Sequence, residues 1–117
     1  MANKNYFING ITELLVLFLL NQKDYYVYEI AKTIAELSED NLSISQNTIY
    51  TATYKLENEH KISEYSKLVG KKRTRVYYHI EQNGRQYLEE LITSYQTTIT
   101  GISKIMGAQS EDENTEQ

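Results

Sequence analysis

The stretch whose reading decides the fold is LSISQNTIYTATYKL, residues 42–56. Ser45 has the chemistry of a helix N-cap, because its hydroxyl can accept from a backbone N–H of the first turn that otherwise lacks a partner. In a helix starting there, Ile49, Ala52, Thr53 and Leu56 fall on one side at three- and four-residue spacing. The opposite side collects Asn47, Thr51, Tyr54 and Asn58, flanked by Thr48, Tyr50 and Lys55. That face carries hydroxyls, amides and one cation, with no carboxylate before Glu57 and Glu59. Such a surface suits phosphate oxygens and base edges in a DNA major groove. Taken alone, it fits an ordinary solvated helix face as well.

Working outward toward the N-terminus, the spacing predicts a helix at about 26–39, with Ile30, Ile34 and Leu37 in register and Ala31 and Ala35 allowing close approach. Glu39-Asp40-Asn41 ends it, and an extended Leu42–Ile44 leads into the helix capped by Ser45. Two helices joined by a short linker make a helix-turn-helix pattern. A first helix is expected over 5–21, with Phe7, Ile11, Leu14, Leu15 and Phe18 as its apolar stripe. Leu17, Leu19 and Leu20 make its far end apolar on the remaining sides too, which calls for a central position. Asn21–Asp24 is a polar connector.

Toward the C-terminus the period changes. Ile62–Val69 and Arg75–Ile80 are rich in β-branched and aromatic residues, and Val76, Tyr78 and Ile80 alternate onto one side. Between them lies Gly70-Lys71-Lys72-Arg73-Thr74. A Gly permits the tight turn, and three long cations at a hairpin tip can reach a phosphate backbone. From Gln82 to Met106 the helical period returns, with Leu88, Tyr95 and Ile102 in one heptad position and Leu91, Thr98 and Ile105 in its partner. Ile92, Ile99 and Met106 widen the stripe. A helix of roughly 25 residues is about 37 Å long and overshoots a small domain, so its far half needs an apolar partner, most simply a second copy of the chain. Gly101 is a place for a bend, at up to about 1 kcal/mol in helix propensity.

The 117 residues are enough for one domain with a modest core. There is no Cys, which excludes disulfides and thiolate chemistry and is compatible with a reducing cytoplasm. The longest apolar run, Leu14–Leu20, is far short of the roughly 20 residues that span a bilayer. MANKNYF lacks the order of a signal peptide. A soluble, cytoplasmic protein with no membrane partner is expected. The net charge is −4, but it is unevenly distributed. Residues 45–80 hold Lys55, Lys61, Lys67, Lys71, Lys72, Arg73 and Arg75 against Glu57, Glu59 and Glu64. A polyanion meets this local field and not the average. Residues 108–117, with Glu111, Asp112, Glu113 and Glu116 and no cation, are read as a disordered acidic tail.

ISQNTIYTATYKLENEHKI, a basic hairpin and RVYYHIEQNG together resemble the PadR family of bacterial transcriptional regulators. The matching positions are Ser45, Thr48, Ile49, Tyr50, Leu56 and Glu57, then Tyr77, Tyr78, Ile80 and Gly84, with Gly10, Glu13 and Leu14 in the first helix. Tyr26-Val27-Tyr28 with Ile30 is most similar to the small, multidrug-sensing branch. Two positions depart from the pattern: Glu81 stands where an N-capping Thr is usual, and His60 where a Gly commonly closes the preceding helix. The short C-terminal helix fits the smaller subfamily. The resemblance implies a mainly α fold with a small β-hairpin: a winged helix-turn-helix over 1–81, a long C-terminal dimerisation helix over 82–107, and the tail.

It further implies a homodimer that represses transcription from an inverted-repeat operator in double-stranded DNA. On that reading, Ser45, Gln46, Asn47, Thr48, Tyr50, Thr51, Tyr54 and Lys55 of the recognition helix and Lys71, Lys72, Arg73 and Arg75 of the wing meet DNA. Leu88, Leu91, Ile92, Tyr95, Ile99, Ile102 and Met106 form the dimer interface, and Tyr95 faces a pocket for a small hydrophobic or aromatic ligand. The alternative is a winged helix serving as a protein-interaction module, its basic wing taking an acidic partner. No enzyme, cofactor or metal is expected: His60 and His79 are the only histidines, their spacing repeats no metal motif, and no phosphate-binding Gly loop is present.

Overall fold

The computed structural model describes residues 10–115. Its elements run α1 (Thr12–Leu20), α2 (Val27–Leu37), α3 (Gln46–Asn58), β1 (Ile62–Val69), β2 (Arg73–Ile80) and α4 (Gln82–Thr115). The three short helices, the hairpin and the root of α4 enclose one core of Val16, Leu17, Leu20, Ile30, Ile49, Leu56, Ile62, Ile80 and their neighbours. This is the mainly helical, winged helix-turn-helix architecture expected, with a long last helix.

α1 is as central as its composition requires, but its orientation differs from the expected stripe. Val16 and Leu17 are completely buried, whereas Phe18 is 47% exposed. In a run where every residue from Leu14 to Leu20 is apolar, hydropathy cannot choose the inward face, and packing against α2, α3 and α4 chooses it. Phe7 and the expected start at residue 5 lie outside the described residues. In α2, Ile30 and Ile34 enter the core, but Leu37 is 72% exposed. It occupies the last turn, immediately before the chain reverses through Glu39 and Asp40, both at positive φ.

The helix ends explain two of the sequence departures. His60 adopts φ 60°, with its N–H donating to Glu57 O (3.0 Å) and the Lys61 N–H to Leu56 O (2.9 Å). This is a Schellman closure made without its customary Gly. At the start of α4, Glu81 is tied down by Ser63, whose hydroxyl donates to its carboxylate, and by its own N–H to Lys61 O (2.9 Å). Gly84 then passes so close to that same carbonyl that an added Cβ would lie 2.2 Å from Lys61 O and 2.8 Å from Ile80 Cγ1.

The hairpin pairs Ile62 with Ile80 through Val69 with Arg73, so β2 begins two residues earlier than expected and the turn is only Gly70-Lys71-Lys72. Gly70 sits at φ 69°, the left-handed region that favours glycine. α4 continues through Gly101 without interruption and reaches Thr115, past the end expected near residue 107. Residues 108–115 contain neither Pro nor Gly, so nothing in the backbone chemistry stops the helical hydrogen bonds. The carboxylates of the acidic tail lie outside the described side chains.

Candidate nucleic-acid interface

The second helix of the helix-turn-helix, α3, is built as its sequence demands. Ser45 Oγ accepts from the Thr48 N–H at 3.1 Å, and its hydroxyl also pairs with Thr48 Oγ1 at 2.9 Å. Ile49, Ala52, Thr53 and Leu56 are buried. Gln46, Asn47, Tyr50, Thr51, Tyr54 and Lys55 are exposed, Tyr54 by 70%. Thr51 Oγ1 donates back to Asn47 O at 3.1 Å, which leaves its oxygen free to accept. Lys55 is not a free cation: its Nζ meets Glu13 Oε2 of α1 at 2.8 Å, a contact that raises its pKa. Glu13 also takes the Tyr87 hydroxyl of α4 at 3.2 Å, so one carboxylate joins three helices at the end of the exposed face of α3.

Of the wing residues, Lys71, Lys72 and Arg73 are exposed at the tip, while Arg75 is half-buried. Arg75 Nη1 donates to the Tyr26 hydroxyl at 2.9 Å, and its guanidinium lies 4.4 Å from that ring. Its charge is therefore partly engaged before any ligand arrives. The tip stands one strand of eight residues, about 26 Å at about 3.3 Å per residue, from the end of α3. On the core side of the hairpin, burial pushes the Tyr78 hydroxyl above its usual pKa despite its bond to Thr53. Burial, and then the nearby Glu64 carboxylate, likewise raise the pKa of Glu57 at the end of α3.

The residues expected at a dimer interface divide into two groups. Leu88 is only 4% exposed and closes the protomer's own core, with Leu91 and Ile92 packed against it, so Leu88 is not available to a second copy. The first turns of α4 thus complete the core of the helix-turn-helix instead of standing apart from it. Tyr95, Ile99, Ile102 and Met106 are exposed, as are Ile105 and Phe18. Beside them runs a groove of about 410 Å³ between α1 and α4, lined by Ile11, Leu14, Leu91, Tyr95, Ile99 and Ile102 among others.

Several contributors escaped the sequence reading. Asp24, Tyr26, Tyr65, Tyr77 and His79 gather on the outer face of the hairpin, where Tyr65 and Tyr77 stack at 5.7 Å and Tyr26 meets Tyr77 edge-on at 5.4 Å. The count of 11 tyrosines was the available signal, but their pairing depends on strand register. Burial pushes the Asp24 pKa up, but hydrogen bonds from Tyr65 and His79 outweigh it and leave the carboxyl below its usual value.

The profile of the Transcriptional regulator PadR-like family matches residues 16–90, which covers α1 from its second turn to the root of α4. The chain belongs to the PadR-like family of transcriptional regulators. An uncharacterized protein of Lysinibacillus sphaericus is 32% identical over 88 residues, covering 75% of this chain and 81% of the relative. The structure of a transcriptional regulator from Clostridium thermocellum is similar with a TM-score of 0.79 at 29% identity, covering 87% of this chain and 96% of that one. A PadR family transcriptional regulator from Eggerthella lenta matches with a TM-score of 0.72 at 26% identity, covering 83% and 82%. This PadR-family protein is accordingly a winged-helix, DNA-binding transcriptional regulator and not an enzyme. Among the described residues, no helix is long and apolar enough to cross a membrane, and no group of three or more His, Asp and Glu is placed to hold a metal ion.

Proposed function

We propose that this PadR-family regulator is a dimeric repressor that holds an inverted-repeat operator with two copies of α3 and two wings. The observation that carries the reading is the division of α3: its aliphatic residues Ile49, Ala52 and Leu56 are all buried, and its exposed face offers amides and hydroxyls, the tyrosine hydroxyls of Tyr50 and Tyr54 among them, with its only cation held by Glu13. Thr48, Thr51 and Tyr54 read base edges, Gln46, Asn47 and Tyr50 flank them, and Lys71, Lys72 and Arg73 grip phosphates. Base contacts specify and phosphate contacts position. The second copy covers Tyr95, Ile99, Ile102, Ile105 and Met106, which a lone protomer leaves in water. Two-fold symmetry then places the recognition helices on half-sites one helical turn apart, about 34 Å.

The groove beside Tyr95 supports a ligand-controlled version of this reading. A small aromatic or hydrophobic molecule lodged between α1 and α4, against the dimer seam, shifts the spacing of the two recognition helices and releases the operator. The test selects binding sites from a random duplex pool and measures affinity over a salt series. An enriched inverted repeat, with affinity falling steeply with salt, is the expected result. No enriched repeat together with salt-independent binding defeats the reading.

A further inference from the structure

Three consecutive residues of the connector between α1 and α2 each hold a different part of the hairpin. The Asp24 carboxylate reaches both strands: Oδ2 accepts from the Tyr65 hydroxyl of β1 at 2.7 Å, and Oδ1 from His79 Nδ1 of β2 at 2.9 Å. Tyr25 O accepts from the Tyr78 N–H at 2.9 Å, making the connector a one-residue third strand beside β2. Tyr26 holds Arg75 through its hydroxyl and ring, and its edge meets Tyr77. Tyr77 in turn stacks on Tyr65 and lies under the Lys67 ammonium, 5.4 Å from its centroid.

We propose that this connector is a clasp that sets the position of the wing cations relative to α3, with Asp24 as its positioning residue. The proposal rests on reading the wing as phosphate-binding. A two-stranded hairpin is marginal by itself, and this one is buried in the core only through its root, Ile62, Tyr78 and Ile80. Farther out on that same face, Leu68 and Val76 are exposed and give the tip no support. The clasp supplies that support from the other face. A carboxylate accepting two side-chain donors makes charge-assisted bonds, stronger than neutral ones. A wing held in advance does not have to be ordered when DNA arrives, and that ordering otherwise weakens binding.

Simple electrostatics and positioning predict opposite signs here. Deleting the Asp24 anion from the wing's outer face, where it pairs with Tyr65 and His79, strengthens attraction to a polyanion if charge alone matters. If Asp24 positions the wing, the same deletion weakens binding. The experiment compares Asp24→Ala, Asp24→Asn and Tyr65→Phe in the full chain, measuring binding to a mixed-sequence duplex across a salt series and amide hydrogen exchange without DNA. Asp24→Ala is expected to lower low-salt affinity on the order of tenfold with a shallower salt slope. It should also speed exchange in β1 and β2 while leaving α3 unchanged. Asp24→Asn, which keeps an oxygen for Tyr65, and Tyr65→Phe, which loses one hydroxyl, fall between it and the parent.

In a background with Lys71, Lys72 and Arg73 all changed to Ala, Asp24→Ala adds no further loss if it acts through the wing. A gain in affinity, unchanged hairpin exchange, or an equal loss in the neutralised background overturns the proposal. If neutralising the wing leaves DNA binding at the parent level, the phosphate-binding reading is what fails, and the positioning role falls with it. Hairpin exchange then shows whether the connector still acts as a purely structural clasp.

Discussion

α3 and α4 carry the same kind of apolar repeat and meet opposite fates. Every apolar residue on the inward side of α3 is covered by its own chain. α4 buries Leu88, packs Tyr87, Leu91 and Ile92 against the core, and then leaves Tyr95, Ile99, Ile102, Ile105 and Met106 exposed, Ile105 by 68%. The difference lies in length and not in chemistry. α3 has 13 residues and ends where the domain ends, whereas α4 has 34, about 51 Å at about 1.5 Å per residue. A periodic apolar face therefore announces that it will be covered but not by what. The same helix can belong to one core at its root and another along its shaft.

That division of α4 yields the largest expected effect. Gly84→Ala drives a Cβ into the Lys61 carbonyl and Ile80, backbone and core that cannot easily withdraw, and should cost about 3 kcal/mol or more in urea unfolding. Leu88→Ala should cost about 2–5 kcal/mol by leaving a cavity in the protomer core. If Leu88→Ala instead left unfolding untouched, the root of α4 would not be part of that core. Farther along, Ile99→Glu and Ile102→Glu should leave the protomer fold intact and weaken self-association by about 2 kcal/mol or more each. Light scattering at micromolar concentration checks this, and a parent protein that is itself a stable monomer breaks the comparison outright.

The next effects separate α3 from the wing. Thr51→Ala and Tyr54→Ala should each lower the preference for operator over random duplex by about 1–3 kcal/mol if a base contact is lost. Neutralising Lys71 and Lys72 should weaken binding to all sequences alike and flatten the salt slope. Competition binding on both duplexes distinguishes the two patterns.

The smallest effects concern how α3 ends. His60→Gly should stabilise the domain by about 1 kcal/mol, read as a higher urea midpoint, because a non-Gly residue is held at positive φ there. Glu57, whose pKa is raised above its ordinary 4.5 by burial and by Glu64, binds its proton more readily folded than unfolded. Its contribution is therefore stabilising below that ordinary value and is lost as pH rises through the raised one. Glu57→Gln should remove that segment of the pH–stability curve and raise stability near neutrality by less than about 0.5 kcal/mol, solvent screening keeping the effect small.

The elements legible in the sequence were those governed by near neighbours. Ser45 and Thr48 are three residues apart, and the bond that caps α3 is a property of that spacing. Gly70 marked the turn because only a residue without Cβ takes its backbone angle freely. Burial of Ile49, Ala52, Thr53 and Leu56 followed from helical period once the start was known. The motif residues also carried the family, and Gly84 shows why such a residue is specific: there is no room for anything larger.

Contacts between distant segments were decided only when the chain folded. Phe18 and Val16 are equally apolar, and only the neighbours of α1 determine which one faces inward. Leu88 and Ile102 occupy the same heptad position, yet one is buried in the core and the other is 47% exposed at the edge of the α1–α4 groove. Lys55 is drawn to Glu13 across 42 residues, Asp24 to Tyr65 across 41 and to His79 across 55. No local pattern encodes those partners, because their proximity depends on the register of the hairpin and the path of the connector. The sequence by itself determined the cap, the turn, the inward face of α3 and the family; tertiary packing alone decided which face of α1 turns inward, how much of α4 the protomer could cover and what holds the wing.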